Sequence, residues 1–285
     1  MHMDELLLER FSYFLNHHPD YVTAEMLRGF MADTGYGEET SYRFLICAAM
    51  DIDPYGSETE RIWFHRTIPE ILHPLDTKEY AADPYLTRIA FPDKKLGRWE
   101  FRHQAYRPYE AFVRDDFRLI SLGHSVPQIG YFREAFPYPA VLQDGREWMT
   151  VTPNEINTMK NPIAQSHGRV LTFGLGMGYF AFHASEKEEV DELTIVERDP
   201  DVIRLFREHL LPQFPGRDKI TLVQDDAFHY AQTRMGKENF DVIFTDLWHD
   251  PSDGIPLYQR MKEMEKYSPD STFLYWIEKT LRYYL

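Results

Sequence analysis

The chain has 285 residues, 43% of them hydrophobic and 15% aromatic, a composition of packed rather than disordered proteins and long enough to bury about three quarters of its unfolded surface. Its formal charge of −15, from 31 Lys+Arg against 46 Asp+Glu, repels phosphate backbones and speaks against a nucleic-acid partner. The single cysteine, Cys47, excludes an intramolecular disulfide and a cysteine-rich zinc site; no apolar stretch has spanning length or a signal pattern, so a cytoplasmic protein with no membrane partner is expected.

Residues 3–75 read as a helical block, because Leu7, Phe11, Phe14 and Leu15 recur at helical spacing, as do Met26, Leu27, Phe30 and Met31. Cys47 falls in one of its apolar stretches and reads as a buried thiol without a neighbouring base. Ser57, three residues before Glu60, predicts a capping box, and Pro69 predicts a kink or an end to that helix. From Asp83 to Thr152 the pattern shortens into strands and turns, with Asp144-Gly145 as the best hairpin turn.

From Arg169 five apolar runs, "RVLTFG", "ELTIVE", "KITLVQ", "FDVIFTD" and "STFLYWI", alternate with segments long enough for crossover helices. The expected architecture is α/β: a Rossmann-like, doubly wound, mostly parallel sheet over 161–285. A helical region over 1–82 and a β-rich linking or substrate region over 83–160 precede it.

Chemistry is expected at the carboxyl ends of the runs. The first enters Gly174-Leu175-Gly176-Met177-Gly178, a loop whose missing side chains let a backbone approach a ligand at a helix start. Tyr179 stands where a dinucleotide fingerprint needs a small residue, which disfavours nicotinamide and flavin cofactors. Glu197 ends the second run, 23 positions after Gly174, where a carboxylate can accept both hydroxyls of a ribose. Asp225 and Asp226 end the third; one can accept an adenine amino group while the other caps the next helix. Asp246 ends the fourth, followed by Trp248, His249 and Asp250. The sequence "HDPSDG" after it reads as a helix cap rather than a metal site, and no metal is expected.

Through "VLTFGLGMG", "TIVERDPDVI", "LVQDDAF" and "FDVIFTDLWHDP" the chain resembles the class I S-adenosylmethionine-dependent methyltransferases, in particular their spermidine synthase-like branch. The resemblance implies that Glu197 holds the ribose, Asp226 the adenine amino group, and Asp246 the reacting or amine-binding end of the pocket. It extends more faintly upstream through "PQIGYF", "PYPAVLQDG" and "TPNEINTM", where Gln128 and Asp144-Gly145 follow the family's pattern. Three departures stand out. Trp148 takes the place of a usual glutamine, Asn157 lies near that of a polyamine-contacting tyrosine, and Asp246 and Asp250 are separated by three residues instead of two.

The expectation is therefore a methyltransferase using S-adenosylmethionine on a small-molecule or protein acceptor. Gly174, Gly176, Gly178, Glu197, Asp225 and Asp226 would bind the cofactor, Asp246 would be catalytic, and Gln128 and Asp250 would face the substrate. Aminopropyl transfer and a nucleoside-binding module without turnover are the alternatives, and a homodimer is allowed for.

Overall fold

A computed structural model describes residues 5–121 and 124–285. Among them run twelve strands: β1 (Leu72–Leu75), β2 (Lys94–Leu96), β3 (Trp99–Tyr106), β4 (Ala111–Ser121), β5 (His124–Phe132), β6 (Phe136–Gln143), β7 (Arg146–Thr150), β8 (Gly168–Phe173), β9 (Val190–Glu197), β10 (Ile220–Gln224), β11 (Val242–Thr245) and β12 (Thr272–Tyr275). The chain divides into two compact units, Met1–Ala81 with Ala105–Pro137 and Ala82–Gln104 with Tyr138–Leu285. The β-rich stretch 83–160 is thus shared between them.

The first unit combines helices Glu5–His17, Ala24–Thr34 and Glu38–Ala49 with a sheet in the order β1-β5-β4. Leu7, Phe11 and Phe14 bury one helix face, as their spacing predicts. The second helix differs: only Leu27 is buried, and Met26 is 37% exposed. This helix is defined by its ends more than by a wide apolar face. Thr23 accepts from the Met26 N–H at the start, and Gly35 closes the other end at φ +74°.

The Ser57–Glu60 capping box forms. Its helix passes through a π-helical turn at Trp63–Thr67 into Ile68–Ile71, where Pro69 lies in the first turn and needs no N–H donor. A short strand then interrupts the helical block, which resumes at Thr77–Ala81. Leu72–Leu75 is a strand, because it pairs in parallel with Ile129–Phe132 of β5. Cys47 is buried, and burial pushes its thiol up to about 12, which makes it inert.

The second unit holds a sheet in the order β2-β3-β6-β7 and the parallel sheet β10-β9-β8-β11-β12. Asp144 and Gly145 join β6 to β7 at φ +53° and +80°, the left-handed pair that a type I′ hairpin turn requires. All five apolar runs of the C-terminal region form strands of the parallel sheet, which has a Rossmann-like order. Successive residues on one strand serve opposite faces. Leu171, Phe173 and Ile243 pack with Phe228, Tyr230 and Met261 of helices Ala227–Thr233 and Pro251–Met264, whereas Phe244 meets Phe180 of helix Tyr179–Glu186 at 4.5 Å between ring centroids. On the central strands β8 and β11, where Val170–Phe173 and Val242–Thr245 are buried, cover on both faces accounts for unbroken apolar runs instead of alternation, whereas β10 at the sheet edge has no buried residue. No helix of the described residues is long and apolar enough to cross a membrane.

Candidate functional site

The parallel sheet changes direction of growth at β8: the chain moves outward to β9 and β10, then returns to β11 on the other side. Ligands of open α/β sheets bind at the carboxyl edge of such a reversal. Each of these four strands delivers a polar group or a loop to that edge.

β8 leads into the glycine loop, whose Gly174, Gly176 and Gly178 have φ of +99°, +50° and +74°. A Cβ at Gly174 would strike the Asp246 carbonyl, and one at Gly176 the Met149 sulfur. The left-handed backbone demands glycine at these positions, and at Gly174 the fixed Asp246 carbonyl demands it as well, whereas the Met149 side chain can move away from Gly176. The loop also aims the Leu175 N–H at Glu197, which ends β9 and accepts it on Oε2 at 3.3 Å. Glu197 Oε1 accepts the Asp199 N–H at 2.8 Å. Burial pushes the Glu197 carboxyl up, opposed by these two backbone donors. With one such bond on each oxygen, acceptor capacity remains on both.

After β10, Asp226 caps helix Ala227–Thr233 by accepting the Phe228 and His229 N–H groups on Oδ1, both at 3.0 Å. Asp225 lies 2.8 Å from the His229 ring nitrogen. Of the two aspartates, Asp226 is the cap.

β11 delivers Asp246, whose N–H donates to the Phe173 carbonyl at 2.9 Å and so ties the two central strand ends together. Asp246 lines a narrow cavity with Met149, Glu155, Gly174, Tyr179 and Phe244. Burial pushes the Asp246 carboxyl up to about 7. Glu155 is only 5% exposed, and its Oε1 has no hydrogen-bond partner. Burial first, then the charge of Asp246, raises Glu155 well above the usual carboxylate range.

Glu155 is the residue that sequence reasoning passed over. Thr152-Pro153-Asn154-Glu155 has the form of a capping box, and an acid in the first turn of helix Pro153–Gln165 suits the helix dipole. Yet Thr152 makes no side-chain cap bond, and Glu155 faces the cavity. An apolar surrounding for a first-turn acid, with Ile156 and Met159 buried beside it, is the signal that separates the two roles.

Asp250 stands apart from this cavity's lining. It caps helix Pro251–Met264 and accepts the Ser252 N–H at 2.6 Å, while Asp253 accepts the Asp250 N–H in return. Burial pushes its carboxyl up, but hydrogen bonds from Ser252 and His249 outweigh this and hold it below the usual range. Trp148 sits between two rings, 6.0 Å from that of Trp99 and 6.0 Å from that of His249. Gln128 belongs to the first unit. There it is buried in β5, accepting from Arg114 at 2.8 Å and donating to the Glu70 carbonyl at 3.3 Å.

No family model matches the chain, and no curated protein does. Among solved structures it is similar to a protein described as an O-methyltransferase from Klebsiella pneumoniae, with 22% identity and a TM-score of 0.28, over 35% of this chain and 43% of that one. Spermidine synthase from Thermotoga maritima matches with 20% identity and a TM-score of 0.35, over 47% of this chain and 45% of that one. A spermidine synthase in complex with the transition-state analogue AdoDATO matches with 24% identity and a TM-score of 0.33, over 40% of each chain. The chain spans less than half the length of each of these proteins.

Proposed function

We propose that the chain binds S-adenosylmethionine along the carboxyl edge of a doubly wound sheet and transfers its methyl group to a small-molecule or protein acceptor. One observation carries the reading: four strand ends, those of β8, β9, β10 and β11, supply the glycine loop, Glu197, the Asp225-Asp226 pair and Asp246 at the point where strand order reverses. The residues fit a nucleoside. Glu197 keeps acceptor capacity on both oxygens for paired hydroxyls, and Asp226 makes both cap bonds through Oδ1 alone.

When bound, this cofactor supplies an electrophilic carbon on a sulfonium. The residues of the chain then have separate tasks. Asp246 orients the acceptor or takes its proton, and its raised proton affinity suits a base working near neutral pH. Met149, Phe180 and Phe244 keep the cavity apolar and limit water. Rate comes mainly from alignment of the acceptor with the reacting carbon.

Methyl transfer is preferred to aminopropyl transfer because, against the resembling family, Trp148 takes the place of a usual glutamine and Asn157 lies near that of a polyamine-contacting tyrosine, and Trp148 is packed between Trp99 and His249. Two incubations separate the reactions. S-adenosylmethionine with an acceptor library should release S-adenosylhomocysteine. Decarboxylated S-adenosylmethionine with putrescine or spermidine should yield no longer polyamine, and its robust formation would reverse the ranking. Tight cofactor binding with no acceptor found would favour a binding module without turnover.

A further inference from the structure

Two carboxylates share the Asp246 cavity, and among the described residues none of its lining side chains is a lysine, arginine or histidine. Asp246 arrives at the end of β11 and Glu155 from the first turn of helix Pro153–Gln165. The other titratable groups facing them are Tyr179, which donates to Asp83 at 2.9 Å, and Tyr85, which donates to the Met177 carbonyl at 2.7 Å. Both phenols stay protonated, pushed up by burial and then by neighbouring acids. Behind Tyr179, His183 lies 3.5 Å from Asp83, and beyond Asp246 on its own segment His249 lies 3.5 Å from Asp250. The imidazoles are thus placed against other acids.

Two buried carboxylates without a cation do not both ionise, since the second charge is opposed by desolvation and by the first. A single charge meets desolvation alone, so the first proton leaves the pair against less opposition than the second. The intermediate state, with one proton for two groups, resolves the conflict and gives the bare Glu155 Oε1 a hydrogen to donate or accept.

We infer that Glu155 and Asp246 form one proton-sharing pair, in which Glu155 is a positioning residue that keeps a single proton beside Asp246 and leaves the cavity one negative charge. The consequence for transfer rests on the methyltransferase reading. Asp246 accepts the proton of the incoming nucleophile, the pair becomes doubly protonated and neutral, and loss of one proton to solvent restores it. The pair itself is independent of that reading.

Its test needs neither cofactor nor acceptor. Carboxyl-carbon NMR of protein labelled at Asp Cγ and Glu Cδ, recorded against pH, should show two steps for the pair separated by more than about one pH unit. Glu155→Gln should leave a single step for Asp246. Asp246→Asn should leave a single step for Glu155, lying below the upper step of the wild type. Glu155→Asp should restore two separated steps. Two wild-type steps within one unit of each other overturn the pair, as does a carboxyl that titrates in the single variant where it does in the wild type. Should Glu155→Gln fail to fold, Asp246→Asn and the wild-type separation decide the same question. A paired titration without S-adenosylhomocysteine binding would reject the transferase and keep the pair; binding with independent titrations would do the reverse.

Discussion

The surface of the first unit and the strand ends of the second treat their acids in opposite ways. In the first, carboxylates meet arginines on the surface: Asp20 with Arg107, Glu38 with Arg133 at 2.7 Å, and Glu70 with Arg118 at 2.7 Å. Solvent screens such pairs, and each contributes about 0–1 kcal/mol. At the strand ends of the second unit, Glu197 is met by backbone N–H groups and Asp246 by another acid. No stability argument favours that arrangement, since uncompensated buried charge is costly. Perturbed acids gathered at one edge of a sheet are instead what a reactive site requires.

That contrast is sharpest in turnover. Asp246→Asn keeps the shape but removes the proton acceptor, so release of S-adenosylhomocysteine should fall by ~10²–10⁴ with cofactor affinity little changed. Glu38→Gln in the first unit should leave turnover as it is and shift stability by under ~1 kcal/mol. Equal turnover of Asp246→Asn and wild type on a working acceptor would remove the base and make Asp246 a structural residue.

Two glycines extend the comparison to the backbone. Gly174 and Gly35 both have positive φ, but only at Gly174 would a Cβ meet another atom, the Asp246 carbonyl. Gly174→Ala should therefore destabilise by about 3 kcal/mol or more, and Gly35→Ala by only ~1–2 kcal/mol, the left-handed backbone cost alone. Urea denaturation measures both. Equal losses would mean that the glycine loop yields easily to a side chain.

Stability should also depend on pH through Asp246. Its folded proton affinity, about 7, lies above the ordinary aspartate value of 3.8 that the unfolded chain retains. The folded state thus binds more protons between those values, so this contribution is fully present below about pH 4 and lost as pH rises through about 7. The wild type should lose stability over that window more steeply than Asp246→Asn, as read by urea midpoints. Parallel slopes in the two proteins would contradict the assignment. The smallest effect belongs to Asp250, a cap engaged with its own helix: Asp250→Ala should cost ~1 kcal/mol and leave S-adenosylhomocysteine binding alone. A large loss of affinity would give Asp250 a part in cofactor binding.

How much of this was legible in the sequence follows from what each signal depends on. The five apolar runs, the Asp144-Gly145 turn and the Ser57–Glu60 box are local patterns, and each took the form its spacing implies. Met26 and Leu27 both lie in the helix that their spacing predicts, but only Leu27 is buried, because burial needs something packed against the residue, which periodicity does not report. Leu72–Leu75 became a strand through pairing with β5, more than fifty residues further along the chain. The Gly174, Glu197 and Asp246 positions could be read because a parallel sheet brings every strand's carboxyl end to one edge. Glu155 could not, since it comes from a helix outside the strand alternation and carries the disguise of a capping acid.

Whether Glu197 and the glycine loop hold a nucleoside is decided by calorimetric titration of S-adenosylhomocysteine into wild type and Glu197→Ala. Loss of a charge-assisted contact to the ribose should cost ~1.5–3 kcal/mol, a weakening of roughly 10- to 150-fold, with no heat from NAD in either protein. Equal affinity in the two proteins would take Glu197 out of the site, and absence of binding to the wild type would contradict the nucleoside site as a whole.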